Sequence, residues 1–101
     1  MPRKGSAARN IRNLNELRDF VNQTLCGYDH LKPDEFRLDE RVLLRQGKPC
    51  GLYFCLHGPR STKYTAIWET DGNAVFFYSS SGERFLRTQL EHAPRLDRRA
   101  A

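Results

Sequence analysis

The stretch "GLYFCLHGPRSTKYTAIWETDGNAVFFYS", residues 51–79, decides the fold. It holds three runs of strand length, 51–57, 63–69 and 74–79, each rich in aromatic and aliphatic residues. Gly58-Pro59-Arg60-Ser61-Thr62 separates the first two, and Thr70-Asp71-Gly72-Asn73 the second two. Asp-Gly between such runs is a hairpin signal, because a tight turn needs positive φ that these residues adopt cheaply. A turn there pairs Glu69 with Ala74, Trp68 with Val75, Ile67 with Phe76 and Ala66 with Phe77. Side chains alternate across a strand. One face therefore receives Ala66, Trp68, Val75 and Phe77, and the other Thr65, Ile67, Phe76 and Tyr78. In the run 51–57, Leu52, Phe54 and Leu56 point one way, and Tyr53, Cys55 and His57 the other. Neither face is polar.

The flanking segments extend this pattern. "RVLLRQ" predicts a first strand over 41–46, followed by a turn at Gly47-Lys48-Pro49. Beyond residue 79, Ser80-Ser81-Gly82-Glu83 turns the chain, and "RFLRTQL", 84–90, reads as a fifth strand or a short helix. "DHLKPDEFRLDE", with Pro33 and dense charge, reads as a loop. Before it the apolar period becomes helical. Leu14, Leu17, Val21, Leu25 and Tyr28 draw one stripe, Asn13 is a good N-cap, and Glu16 is placed for a capping box. With Gly27 as a stop signal, the helix is predicted over 14–26.

Short links between consecutive strands favour an antiparallel meander. The expected fold is α+β: an N-terminal helix on a four- or five-stranded antiparallel sheet. The expected domain organisation is a basic arm over 1–12, one domain over 13–94 and a basic tail over 95–101. A helix of this length covers only part of one sheet face. The other face calls for a second subunit in a homodimer, closure by the last strand into a small barrel, or a ligand. Large bare apolar patches are rare on monomers.

The formal charge of +5 is concentrated at the ends. Residues 1–12 carry +4 and residues 95–101 carry +2, leaving −1 for the middle. Basic tails bind nucleic acid through phosphate charge alone, and they are also ordinary solubilising termini. No apolar run approaches the ~18 residues of a membrane helix, and "MPRKGSAARN" lacks the apolar centre of a secretory leader. A cytoplasmic protein with no membrane association is therefore expected, its three cysteines reduced.

Cys50, Cys55 and His57 suggest a metal or a nucleophile, but strand geometry separates them. Cys50 and Cys55 are an odd number apart and point to opposite faces. The residues between them have strand character and do not bend round a zinc ion, as Cys-x2–4-Cys turns do. Cys55 and His57 share a face, yet nothing in the sequence lowers the thiol pKa or orients the imidazole. No metal, cofactor or catalytic residue is assigned.

Two candidate surfaces remain. The meander brings the 58–63 and 79–84 loops to one sheet end. That end gathers Arg60, Lys63 and Arg84 with the hydroxyls of Ser61, Thr62, Ser80 and Ser81, a donor set suited to phosphate or carboxylate. The bland reading is two solvated turns. The second surface is a sheet face presenting Tyr53, Trp68, Phe77 or Tyr78. The expectation is a small non-enzymatic binding or assembly module. The alternatives are a weakly specific nucleic-acid binder, using basic tails and stacked aromatics, and thirdly a small enzyme built on the loops.

Overall fold

Among the described residues, five strands in the order β1-β2-β3-β4-β5 form one antiparallel sheet, with one α-helix, α1, packed on one face. The strands are β1 Leu38–Arg45, β2 Lys48–His57, β3 Lys63–Glu69, β4 Ala74–Tyr78 and β5 Arg84–Gln89, and α1 spans Leu14–Tyr28. The computed structural model describes residues 11–96. The sheet is open. Its outer strands β1 and β5 do not pair, so the expectation of a small barrel is corrected. Residues 84–90 divide as strand Arg84–Gln89 followed by Leu90, not as a helix.

Local chemistry accounts for most element boundaries. Asn13 caps α1, its side-chain oxygen accepting from the Glu16 amide at 2.9 Å. The Glu16 carboxylate returns a bond, but from the amide of Arg12 at 2.7 Å, one residue before the cap. The helix passes Gly27 and ends at Tyr28, and the Leu31 amide closes back on the Cys26 carbonyl at 2.7 Å. Packing explains the extra residues: the Tyr28 ring stacks on Phe85, with centroids 4.1 Å apart. The Tyr64 hydroxyl then ties the helix end to β3 by donating to the Asp29 carboxylate.

The β1–β2 turn is tighter than its Pro49 suggests. Gln46 and Gly47 both take positive φ, 53° and 80°, as a two-residue primed turn needs, and Lys48 and Pro49 already belong to β2. Likewise Leu38, Asp39 and Glu40, expected in a loop, open β1 opposite Leu56, Cys55 and Phe54. The β3–β4 register matches the predicted pairs: Glu69 with Ala74, Trp68 with Val75, Ile67 with Phe76, and Ala66 with Phe77.

The core lies between α1 and the face carrying Leu52, Phe54, Leu56, Tyr64, Ala66, Trp68, Val75 and Phe77. The helix supplies Leu17, Val21, Leu25 and Cys26. Phe20 meets Phe77 edge-on at 5.8 Å, the geometry that the ring quadrupole favours. Ile11 is 3% exposed within this core, and Leu96 packs against it at the other end of the described chain. The domain therefore reaches past the expected limits of 13 and 94 on both sides. The remaining residues of the expected arm and tail, 1–10 and 97–101, lie outside the described residues. No helix is long and apolar enough to cross a membrane among the residues described.

One polar knot holds the far end of the sheet. Asn73 takes a left-handed φ of 51°, which asparagine tolerates better than most residues. From there its Oδ1 accepts from Trp68 Nε1 at 3.0 Å, and its Nδ2 donates to the carbonyls of Leu90 at 3.4 Å and His92 at 2.9 Å. The turn residue thereby satisfies the indole N–H of the largest core side chain.

Candidate functional site

Strand register arranges the face opposite α1 in rows that run across the sheet. One row reads Arg41, Tyr53, Ile67, Phe76, Arg87 from β1 to β5. The next reads Asp39, Cys55, Thr65, Tyr78, Arg84, and His57 pairs with Lys63 beyond it. Tyr53, Ile67, Phe76 and Tyr78 are half-buried, while Arg41, Lys63, Arg84 and Arg87 are exposed. A shift in register between Phe77 and Tyr78 accompanies a change in how β5 presents its side chains. Phe85 and Leu86 both pack toward the core. Arg84 comes over the open face, its guanidinium carbon 5.3 Å from the centre of the Phe76 ring. Arg87 lies 5.7 Å from the same ring. Both distances are within cation–π range.

At the β1–β2 side a shallow groove of about 620 Å³ is lined by two acids, Asp39 and Glu40, and two bases, Arg41 and Lys63, around Tyr53 and His57. His57 Nε2 donates to Asp39 Oδ2 at 2.8 Å. Arg37 supports the same carboxylate, Nε to Oδ1 at 3.2 Å, and its Nη2 lies 3.4 Å from the imidazole nitrogen. The His57 hydrogen bond, with Arg37, His57 and Arg41 charges adding to it, holds the Asp39 carboxyl below the ordinary carboxylate range. Burial and the neighbouring Cys55 thiol push the Tyr53 phenol up, so it is a neutral donor at physiological pH. Cys55 is 7% exposed and a free thiol. The imidazole Nε2–H is committed to Asp39, and the thiol is not its partner. The arrangement is thus a hydrogen-bonded network of Arg37, Asp39 and His57 at the edge of a groove of mixed charge.

A lowered Asp39 pKa carries a sign. Its contribution to stability is complete above the unfolded value of about 3.9 and is lost as pH falls through the lower folded value. Carbon-detected NMR titration is expected to give an Asp39 midpoint below about 3.9, and His57→Ala is expected to move it upward. An Asp39 midpoint unaffected by that substitution would show that the hydrogen bond is not its cause.

The structure divides the sequence-derived candidates. Tyr53 and Tyr78 lie on the open face. Trp68 and Phe77 do not: they are 1% and 0% exposed beneath α1, so neither ring can stack a partner, and both are corrected to core residues. Of the loop residues, Lys63 joins the groove and Arg84 joins the Phe76 cluster. Arg60 and Ser61 are exposed in a short 3-10 turn, both at positive φ of 57° and 63°. Thr62 is turned inward, its Oγ1 donating to the Pro59 carbonyl at 2.7 Å. Across the sheet end, Ser80 is exposed and the Ser81 hydroxyl pairs with that of Ser79 at 2.9 Å. The Thr62 and Ser81 hydroxyls are spent within their own turns, and among the described residues no hydrogen bond joins the two loops.

Four residues of the open face, Arg41, Ile67, Phe76 and Arg87, stand outside the candidates named from sequence. A signal for them exists. The strand parity that carries Tyr53 and Phe76 also carries His57, Lys63 and Arg87, whereas the Trp68 parity carries almost no charge within the strands. Compared with family models, curated proteins and solved structures, the chain matches none.

Proposed function

We propose that this chain is a small non-enzymatic binding module acting through its open sheet face. The observation that supports this reading is the strip of Tyr53, Ile67, Phe76 and Tyr78, half-buried on the sheet face opposite α1. An antiparallel sheet commonly leaves one face to water, and that face is then polar. Here it carries aromatic and aliphatic side chains in contiguous register, which marks interaction surfaces. The 58–63 and 79–84 loops contribute through their ends, Lys63 and Arg84.

Charge bears on the occupant. The open face and its border hold Arg37, Arg41, Lys63, Arg84 and Arg87 against Asp39, Glu40 and Glu69. A two-fold contact between copies sets this cationic surplus against itself, so an anionic partner is favoured over a homodimer.

The test is a photoreactive benzoylphenylalanine at position 67, with one at the exposed helix position 19 as control. In cells of its origin, irradiation is expected to give an adduct at 67 and none at 19. Absence of any adduct at 67, or equal yields at both positions, would reject the open face as the binding surface.

A further inference from the structure

The geometry points to single-stranded nucleic acid as the occupant of the open face, an inference that rests on that face being the binding surface. It comes from the order of side chains along one row: Arg41, Tyr53, Ile67, Phe76, Arg87. Five adjacent strands place the backbones of the two terminal arginines about 19 Å apart, taking ~4.8 Å per strand, and the Arg87 guanidinium reaches inward over Phe76. Between them lie Tyr53, Ile67 and Phe76, half-buried and two of them aromatic. A ligand matching this row carries negative charge at intervals along its length and flat apolar groups between the charges. An oligonucleotide has that alternation, and sheet platforms of similar width stack two or three bases.

The neighbouring side chains fit the same ligand. Phe76 already carries the Arg84 and Arg87 guanidiniums within 5.3 and 5.7 Å of its ring. An arginine plane on an aromatic ring can stack a base on one side and meet a phosphate at its edge. Tyr78 lies beside Thr65 in the next row, adding a third ring. Lys63 lines the groove beside Tyr53, which places a further cation next to the row. The two acids on this side are each paired with an arginine, Asp39 with Arg37 and Glu40 with Arg18, which offsets their repulsion of the chain.

A duplex fits poorly, because its bases are stacked on one another and unavailable to Tyr53 and Phe76. An acidic peptide satisfies the arginines but offers little to the rings. The two ligands therefore differ in what Phe76 contributes: base stacking on an aromatic side chain supports tenfold or greater changes in affinity.

Fluorescence anisotropy with the full chain and a short labelled oligothymidylate tests this. Binding is expected to weaken as salt rises, with each of Arg41→Ala and Arg87→Ala reducing the slope of log K against log salt by about 0.7. Phe76→Ala is expected to weaken binding about tenfold with little change in that slope. Arg60→Ala, which removes an exposed cation outside the row, is expected to leave binding unchanged. Circular dichroism checks that each variant is folded, and the two arginine variants are exposed changes that do not touch the core. Overturning results are an Arg60→Ala effect as large as that of Arg41→Ala, equal affinity for duplex or heparin, or a folded Phe76→Ala that binds as well as the parent. An adduct to protein at position 67, with no oligonucleotide binding, would overturn the nucleic-acid assignment and leave the binding surface standing. No adduct at all would remove both.

Discussion

Gly51→Ala is expected to destabilise the protein by about 3 kcal/mol or more, the upper end of what overpacking costs. A Cβ at this position would sit 2.2 Å from the Trp68 carbonyl oxygen and 3.3 Å from the Glu69 Cα. Both are backbone atoms of β3, so no rotamer change can relieve the clash. The strands must separate where Gly51 pairs with Glu69, next to the bond from the Thr70 amide to the Cys50 carbonyl at 3.0 Å. Gly27 provides the contrast. It lies within α1 with nothing within 4 Å of its virtual Cβ, so Gly27→Ala is expected to stabilise by about 0.5–1 kcal/mol through helix propensity and chain entropy. Urea denaturation of the two variants should displace the midpoint in opposite directions. Similar midpoints for both would mean that β2 and β3 are not as closely apposed as described.

Trp68→Ala is expected to cost about 3–5 kcal/mol, the range for truncating a large core aromatic. A domain of this size is stable by about 5–15 kcal/mol in total, so this one change removes a large part of its margin. The loss has two components. The indole fills the core beneath α1, and its N–H is the partner of Asn73 Oδ1 at 3.0 Å. Trp68→Phe keeps most of the apolar volume but strips that bond, and a cost of about 1–2 kcal/mol is expected from the unpaired acceptor. In an Asn73→Gly background, which permits the left-handed turn without the side chain, Trp68→Phe should cost less than it does alone, and the double-mutant cycle measures the coupling. Trp68 is the sole tryptophan, so far-UV circular dichroism must report the unfolding. A Trp68→Ala variant losing under about 1 kcal/mol would contradict its place among fully packed core side chains.

These two residues show how unevenly the fold was legible. The β3–β4 register followed from Asp71-Gly72 and the alternation around it, since turn geometry fixes register locally. The helix was readable from the stripe Leu14 to Tyr28 and from Asn13. What escaped was set by contacts far apart in sequence. Gly27 looked like a helix terminus, yet stacking of Tyr28 on Phe85 carries the helix past it. Leu38–Glu40 looked like loop, yet they extend β1 because β2 offers them a hydrogen-bonding edge. The candidate site was legible only in part. Tyr53, Tyr78, Lys63 and Arg84 are on the open face, but Trp68 and Phe77 were offered as surface rings although they are core.

The sequence by itself determined the helix, the three central strands, their antiparallel order and the side-chain pairs at the central hairpin, because propensity, periodicity and turn chemistry act over a few residues. It left 84–90 open between strand and helix. It also required that each sheet face be apolar, which made a single helix insufficient cover. Only the tertiary structure decided which face α1 takes, that the sheet stays open, and that Arg41 and Arg87 bracket Tyr53, Ile67 and Phe76 in one row. Those outcomes depend on the summed packing of residues 20 to 70 positions apart. Two apolar faces compete for one helix, and that competition is settled by the whole core, with the charged parity left outside.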